Sequence, residues 1–338
     1  AYMIPLLENM IRNNDDIDNN TGSSLYHPTA VIMVPNKALC NQVYNMANEL
    51  LSELTFNDDR RSFEIASLTT VTSSWPYYGR KECPDIIICT PAFLSQAASH
   101  QSTAFDLYKN IKYLIMDEAD MLLDGSYKKD IEKIMVGIKV TRRQLLREEE
   151  IDPEEKFIQT ILSAATIPTM GMLSIDKYIS KNFPNAKRIS NTHVHKHHPL
   201  ISQQFIECHR VSPISEDQID QVIGIMTNNS GDMDVKDPTM IFLNTADEAV
   251  SFAEALRDRD IRCAEYHKLV LPVAERDRNL EDFKDHQVNV MVCTDHAARG
   301  LDLPFVRHVI QAQFADNVVH HMHRVGRASR AGAEGRAT

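Results

Sequence analysis

No run among the 338 residues stays apolar for the ~20 positions that a membrane-crossing helix needs. No signal or transit segment opens the chain. Ala1-Tyr2-Met3-Ile4-Pro5-Leu6-Leu7 reads instead as the inside of an amphipathic element, whereas a true amino terminus is more often polar and frayed. An excess of basic charge is also missing. Thirty-six Lys and Arg face 47 Asp and Glu, for a formal charge of −11. That balance argues against a surface coated with nucleic acid, yet it leaves room for a local basic groove. The six cysteines (Cys40, Cys83, Cys89, Cys208, Cys263, Cys293) contain no C-x-x-C pair and no zinc-ribbon spacing. They read as free, mostly buried thiols of a reducing compartment.

What is present is the composition of a globular protein, 43% hydrophobic and 25% charged, long enough for two domains with separate cores. Short runs apolar on both faces alternate with helical patterns: Thr29–Val34, then a helix over Asn36–Leu51, then Asp85–Cys89, Tyr113–Met116 and Gln159–Leu162. Such runs suit parallel strands covered by helices on both sides. The series restarts with Thr239–Leu243, Asn289–Cys293 and Val306–Ile310, which predicts two α/β, doubly wound units. The predicted division is 1–190 and 201–338, joined by a polar, His-rich linker over 191–200 that ends in Pro199-Leu200. Asn13–Ser24 reads as a loop insertion. Thr141–Lys156, with alternating charge, reads as an exposed helix extension or a disordered segment.

The chemistry begins where Tyr113–Met116 runs into Asp117-Glu118-Ala119-Asp120. Acidic residues at the carboxyl end of a parallel strand lie where α/β sheets bind ligands. An aspartate there can hold Mg²⁺ through water, and a neighbouring glutamate can orient a water toward a γ-phosphate. Standing alone, four such residues also fit a plain acidic turn. The trio Arg324, Arg327 and Arg330 likewise fits a solvated helix face, and Asp302 a turn before Leu303-Pro304.

The ordered set carries more. Asp117–Asp120 spells D-E-A-D, Thr294–Asp302 fits T-D-x-x-A-R-G-x-D, and His323–Gly332 fits H-R-x-G-R-x-x-R-x-G. Pro35–Leu39, Thr90–Phe93 and Ile241–Thr245 follow weaker patterns in the same order. The sequence resembles the DEAD-box ATP-dependent RNA helicases over nearly its whole length. The resemblance implies two tandem RecA-like doubly wound parallel-sheet domains joined by a short linker. It implies ATP with Mg²⁺ as cofactors and RNA, single-stranded or a short duplex, as partner, acted on by a monomer without a membrane. Asp117 would position Mg²⁺ through water and Glu118 the attacking water, while Asp120 would tie the site to the rest of the first domain. Arg327 and Arg330 would serve as arginine fingers, Asp302 would meet the ribose, and His323 with Arg324 would help join the domains at the nucleotide. Pro35, Lys37, Thr90, Thr245, Arg276, Thr294 and Asp295 would grip the RNA backbone.

The pattern is also broken in places. No G-x-G-K-T phosphate loop occurs, although family members often pass from that loop into a sequence like Ala1–Leu6. The expectation is a chain that begins just after the loop and stops within a strand at Gly335–Thr338, and that binds ATP poorly by itself. Lys37 stands for an arginine, Ala38 for a glutamate, Phe93 for an arginine and Ala164 for the serine of the hinge motif. The usual glycine pair near Val71–Ser74 is absent. These changes keep open a second reading, an ATPase-deficient RNA clamp or scaffold. Finer similarities, among them Tyr266-His267-Lys268 and Ile310-Gln311-Ala312, resemble plant organellar members that serve ribosomal RNA maturation. They imply ribosome assembly with pre-ribosomal proteins in a chloroplast or mitochondrion, with nucleus or cytoplasm as the alternative. The run His193-x-His195-x-His197-His198 has no Cys or Asp beside it and is read as linker, so no metal beyond Mg²⁺ is assigned.

Overall fold

The computed structural model describes all residues except 1, 15–27, 55–62, 70–75, 78–82, 100, 124–126, 149–150, 152–157, 167–174, 191–196, 209–213, 228–234, 271, 296–300, 302 and 330–331. It divides into two compact units, Ala1–Ile189 and Ser190–Thr338. The expected Asn13–Ser24 loop and the glycine-pair region near Val71 thus lie largely outside the described residues.

The first unit is built on five parallel strands: β1 (Ala30–Met33), β2 (Ile65–Leu68), β3 (Ile86–Cys89), β4 (Tyr113–Met116) and β5 (Gln159–Leu162), in the order β2-β3-β1-β4-β5. The pleat sends alternate side chains to opposite faces, so each strand feeds two cores. Val31, Met33, Ile87, Cys89, Leu114 and Met116 enter one. There they meet α3 (Pro91–Ala97), α4 (Gln101–Tyr108), α6 (Lys128–Arg147) and α7 (Ile175–Asn182). Ala30, Ile32, Val34, Ile86, Ile88 and Ile115 enter the other, against α1 (Met3–Asn14) and α2 (Lys37–Leu54). Each fully buried Val, Ile or Leu contributes about 1.5–3 kcal/mol, which is why a sheet covered on both sides reads as unbroken apolar runs. A four-residue helix, α5 (Ala119–Leu122), follows β4.

The charged stretch that begins at Thr141 bears out the helix-extension reading over its described part, with Arg143, Gln144 and Arg147 exposed, but not exposure throughout. Residues 141–147 continue α6, and Thr141, Arg142 and Leu145 are buried rather than exposed. The Arg142 guanidinium donates to the Ile111 carbonyl, so its charge reads as polar in the sequence while its stem packs.

The second unit has six parallel strands: β6 (Ile201–Gln203), β7 (Thr239–Leu243), β8 (Ala264–Tyr266), β9 (Val290–Thr294), β10 (His308–Gln311) and β11 (Gly335–Ala337), in the order β6-β11-β10-β7-β9-β8. Helices α8 (Glu216–Met226) and α9 (Ala246–Arg257) cover one face through Ile219, Val222, Ala249 and Phe252. Helix α10 (Val273–Lys284) runs beside β8, and α11 (Val318–Val325) follows β10. Ser215 and Gln218 close a reciprocal capping box at the start of α8.

Both sheets reverse direction beside a central strand, at β1/β4 in one and β7/β10 in the other. In open α/β sheets such a reversal leaves a crevice at the carboxyl ends of the strands, where ligands bind.

Candidate active site and nucleic-acid-facing edge

In the first unit, register aligns the strand ends. Met33 is level with Cys89 on one side and Met116 on the other, and Met116 with Leu162. The residues just beyond, Thr90, Pro35 and Asp117, therefore share the carboxyl edge of three adjacent strands. Asp117 lies at the reversal. Its backbone N–H donates to the Met33 carbonyl at 3.0 Å. Its Oδ2 accepts from the Tyr2 hydroxyl at 2.9 Å and its Oδ1 from the Glu118 N–H at 3.0 Å. Burial and the adjacent Asp117 carboxylate raise the Tyr2 pKa, so the phenol stays a donor and fixes the carboxylate's orientation.

Glu118 occupies the left-handed region at φ 51°, at the cap of α5. That conformation is costly for a residue with a Cβ. It is held because the flanking groups are tied: the Ala119 N–H donates to the Ser163 carbonyl at 2.8 Å, and the Ser163 N–H to the Met116 carbonyl at 2.9 Å. Asp120 is 1% exposed and accepts at Oδ2 from the Thr166 hydroxyl at 2.6 Å and from the Thr166 N–H at 3.1 Å. It therefore clips α5 to the segment after β5.

The remaining predicted residues of this unit hold helix starts. The Asn36 side chain accepts from the Leu39 N–H at 2.9 Å and caps α2, which leaves Lys37 exposed on its first turn. Pro35 is buried, and its carbonyl accepts from Tyr127 Oη at 2.9 Å. Thr90 caps α3, and Phe93, standing where an arginine was expected, is 1% exposed within the core.

In the second unit the reversal is organised by Arg324. It is 1% exposed. It donates through Nε and Nη2 to both Asp295 oxygens at 2.7 and 2.6 Å, through Nη2 also to Asn244 Oδ1 at 2.7 Å, and through Nη1 to the Gln313 carbonyl at 2.7 Å. Its plane also lies over the Phe242 ring, 5.3 Å from the centroid. The resemblance gives Arg324 to the nucleotide and Asp295 to RNA. Within this unit their placement joins them to each other at the strand ends of β7 and β9. Thr245, capping α9, and Thr294, level with Leu243, stand at those same ends. Arg327, in the turn after α11, is buried, its Nη1 donating to the Leu301 carbonyl at 2.6 Å, and His323 is buried within α11. Arg276 stacks its guanidinium 5.7 Å from the Tyr266 centroid. Asp302 and Arg330 lie outside the described residues.

Sequence reading passed over Tyr2, Asn244 and Gln313. Tyr2 carried a signal, a phenol inside an otherwise apolar run. Asn244 and Gln313 carried none, since their value comes from register across β7 and β10.

Residues 1–173 match the DEAD/DEAH box helicase family and residues 217–332 the helicase conserved C-terminal domain. The chain is 28% identical over 404 residues to DEAD-box ATP-dependent RNA helicase 22 of Oryza sativa subsp. japonica, covering 100% of this chain and 68% of that protein. To DEAD-box ATP-dependent RNA helicase 39 of Arabidopsis thaliana it is 26% identical over 340 residues, covering 100% of this chain and 50% of that one. The fold is similar to S. cerevisiae Dbp5 bound to RNA and ADP BeF3, with TM-score 0.70 and 19% identity over 94% of this chain and 72% of that one. With two parallel-sheet units of the RecA-like type, and with the D-E-A-D run at the reversal of the first sheet, the chain belongs to the DEAD/DEAH box helicase family.

Proposed function

We infer that this chain forms the two RecA-like domains of an ATP-dependent RNA helicase that couples nucleotide turnover to remodelling of short RNA duplexes. The observation that carries the reading is the Asp117–Glu118 pair, fixed at the sheet reversal by Tyr2, Met33 and Ser163.

The donor set fits a hydrated Mg²⁺. Each Asp117 oxygen receives one hydrogen bond and keeps a second lone pair, which can accept from a metal-bound water. When bound, the ion would neutralise charge on the phosphates. Glu118 projects from a strained turn next to that carboxylate, and its role would be to orient the hydrolytic water. Arg327 and Arg330 would stabilise negative charge developing on the γ-phosphoryl group, an effect worth about 10³–10⁵ in rate where such fingers operate. Pro35, Lys37 and Thr90, with Thr245, Arg276 and Thr294, would hold sugar and phosphate, which gives binding without strong sequence preference. A preference for RNA would rest on 2′-hydroxyl contacts.

The reading extends to the substrate. The Tyr266-His267-Lys268 and Ile310-Gln311-Ala312 runs motivate ribosomal RNA maturation in a chloroplast or mitochondrion as the setting, with nucleus or cytoplasm as the alternative. Loss of the protein would then leave unprocessed organellar ribosomal precursors, and normal precursors would remove that setting.

The central experiment is ATP hydrolysis by the full-length protein with and without single-stranded RNA, wild type beside Glu118→Gln. RNA-stimulated turnover that vanishes in the variant is expected. Undiminished turnover in the variant would remove Glu118 from catalysis.

A further inference from the structure

Helix α6 has a second ordered face, opposite the one it buries. Ile131, Ile134, Ile138 and Leu145 are buried, the first three in the core with Phe93, Leu107 and Tyr108. On the far side Lys129, Lys133, Val136, Val140, Arg143 and Arg147 are all exposed. Their spacing of 4, 3, 4, 3 and 4 is that of a heptad seam, and it places them along one stripe about 27 Å long. The stripe has a pattern of its own: two cations, two valines, two cations. Val136 and Val140 are 60% and 51% exposed.

Helix stability does not account for this stripe. Lys129/Lys133 and Arg143/Arg147 are like-charged i,i+4 pairs, each unfavourable by a few tenths of a kcal/mol. Lys129 also stands in the first turn, against the helix dipole. None of the four cations, nor the adjacent Lys139, forms an ion pair among the described residues.

We propose that this stripe is a docking seam for an amphipathic acidic helix of a partner protein, with apolar side chains at its centre and carboxylates toward both ends. Charge and shape together select that occupant. An acidic chain with −11 overall concentrates unpaired positive charge here, which calls for an anion. Phosphates crossing the middle would be desolvated against two valines for no return, whereas an apolar helix centre gains from covering them. A seam this short suits a transient, micromolar contact.

The test titrates the full chain against a labelled synthetic helix of about three heptads, with Glu-Glu-Leu-Leu-Glu-Glu at the seam positions. Its scrambled isomer and a labelled single-stranded RNA serve as competing probes, all read by fluorescence anisotropy. Saturable binding of the patterned helix is expected. Val136→Ser with Val140→Ser, and separately Lys133→Glu with Arg143→Glu, should each weaken it at least tenfold. These side chains are exposed, so unchanged circular dichroism and melting of both variants confirm that binding alone is altered. The proposal fails if the scrambled peptide binds equally well, if the valine changes leave affinity intact, or if only RNA binds and its affinity falls in the same variants.

Discussion

Arg324 holds Asp295 through both carboxylate oxygens, at 2.7 and 2.6 Å, while its remaining donors reach Asn244 and Gln313. One planar cation thus ties the ends of β7 and β9 to the turn after β10. A lysine keeps the charge but cannot reproduce the fork, and a methionine leaves the half-buried Asp295 without its partner. Arg324→Met should therefore cost about 3–5 kcal/mol, and Arg324→Lys a large part of that. Urea denaturation of the two variants checks it. A midpoint unchanged in Arg324→Lys would show that charge alone suffices.

Glu118 combines a strained backbone with the chemical role proposed for it. Its φ of 51° is one that glycine adopts freely. Glu118→Gly should raise stability by about 0.5–1 kcal/mol while removing RNA-stimulated hydrolysis. Glu118→Gln should remove hydrolysis with stability unchanged. The pair of melting curves beside the two rates separates strain from chemistry, and a destabilised glycine variant would place the carboxylate among the structural contacts.

Much of this was legible because the strongest signals were local. Tyr113–Met116, Gln159–Leu162 and Thr239–Leu243 form strands at the expected bounds; in the first and third, burial on both faces leaves a four- or five-residue apolar run that suits a parallel sheet interior, while the second is a partly exposed edge strand. Strands β2, β6 and β8 escaped notice, and β11 was read only through the resemblance at Gly335–Thr338. Each is an edge or near-edge strand of three or four residues, and Ile201-Ser202-Gln203 and Gly335-Arg336-Ala337 have no apolar run to betray them. Their pairing partners supply the order. The same holds at the site. The D-E-A-D run could be read directly, but Tyr2 reaches Asp117 across 115 positions of sequence. Arg324 reaches Asn244 across 80.

Gly137 is a mid-helix glycine with a local cause. A Cβ there would stand 2.7 Å from the Tyr108 ring, which is 1% exposed and has no room to turn away. On helix propensity alone Gly137→Ala would stabilise α6 by about 1 kcal/mol. Overpacking against a fixed ring costs about 1–3 kcal/mol, so the expected net change is destabilising. Gly137→Ala together with Tyr108→Leu, which frees the space, should recover the propensity gain relative to Tyr108→Leu alone. Thermal melting of the three variants decides it; a more stable single Gly137→Ala would mean that α6 can move off Tyr108.

His308, in β10, is buried in a tautomer fixed by its neighbours. The Arg336 guanidinium donates to Nδ1 at 3.1 Å, so Nε2 carries the proton and faces the Thr338 hydroxyl at 3.0 Å. Burial, and then the Arg336 charge, press its pKa down from 6.5 to about 3. The unfolded chain keeps the ordinary value, so between these limits it binds the proton that the folded chain refuses. The contribution is complete above pH ~6.5 and is lost as pH falls toward 3, at up to about 1.4 kcal/mol per pH unit. From pH 6.5 to 5 the wild type should lose up to about 2 kcal/mol more than His308→Gln, which has no proton to take up. Urea midpoints of both proteins at the two pH values measure the difference. Arg336→Met should narrow the window from its acid side, because removing the guanidinium lets the folded imidazole charge at a higher pH. Parallel losses in wild type and His308→Gln would show that another group governs the acid limb.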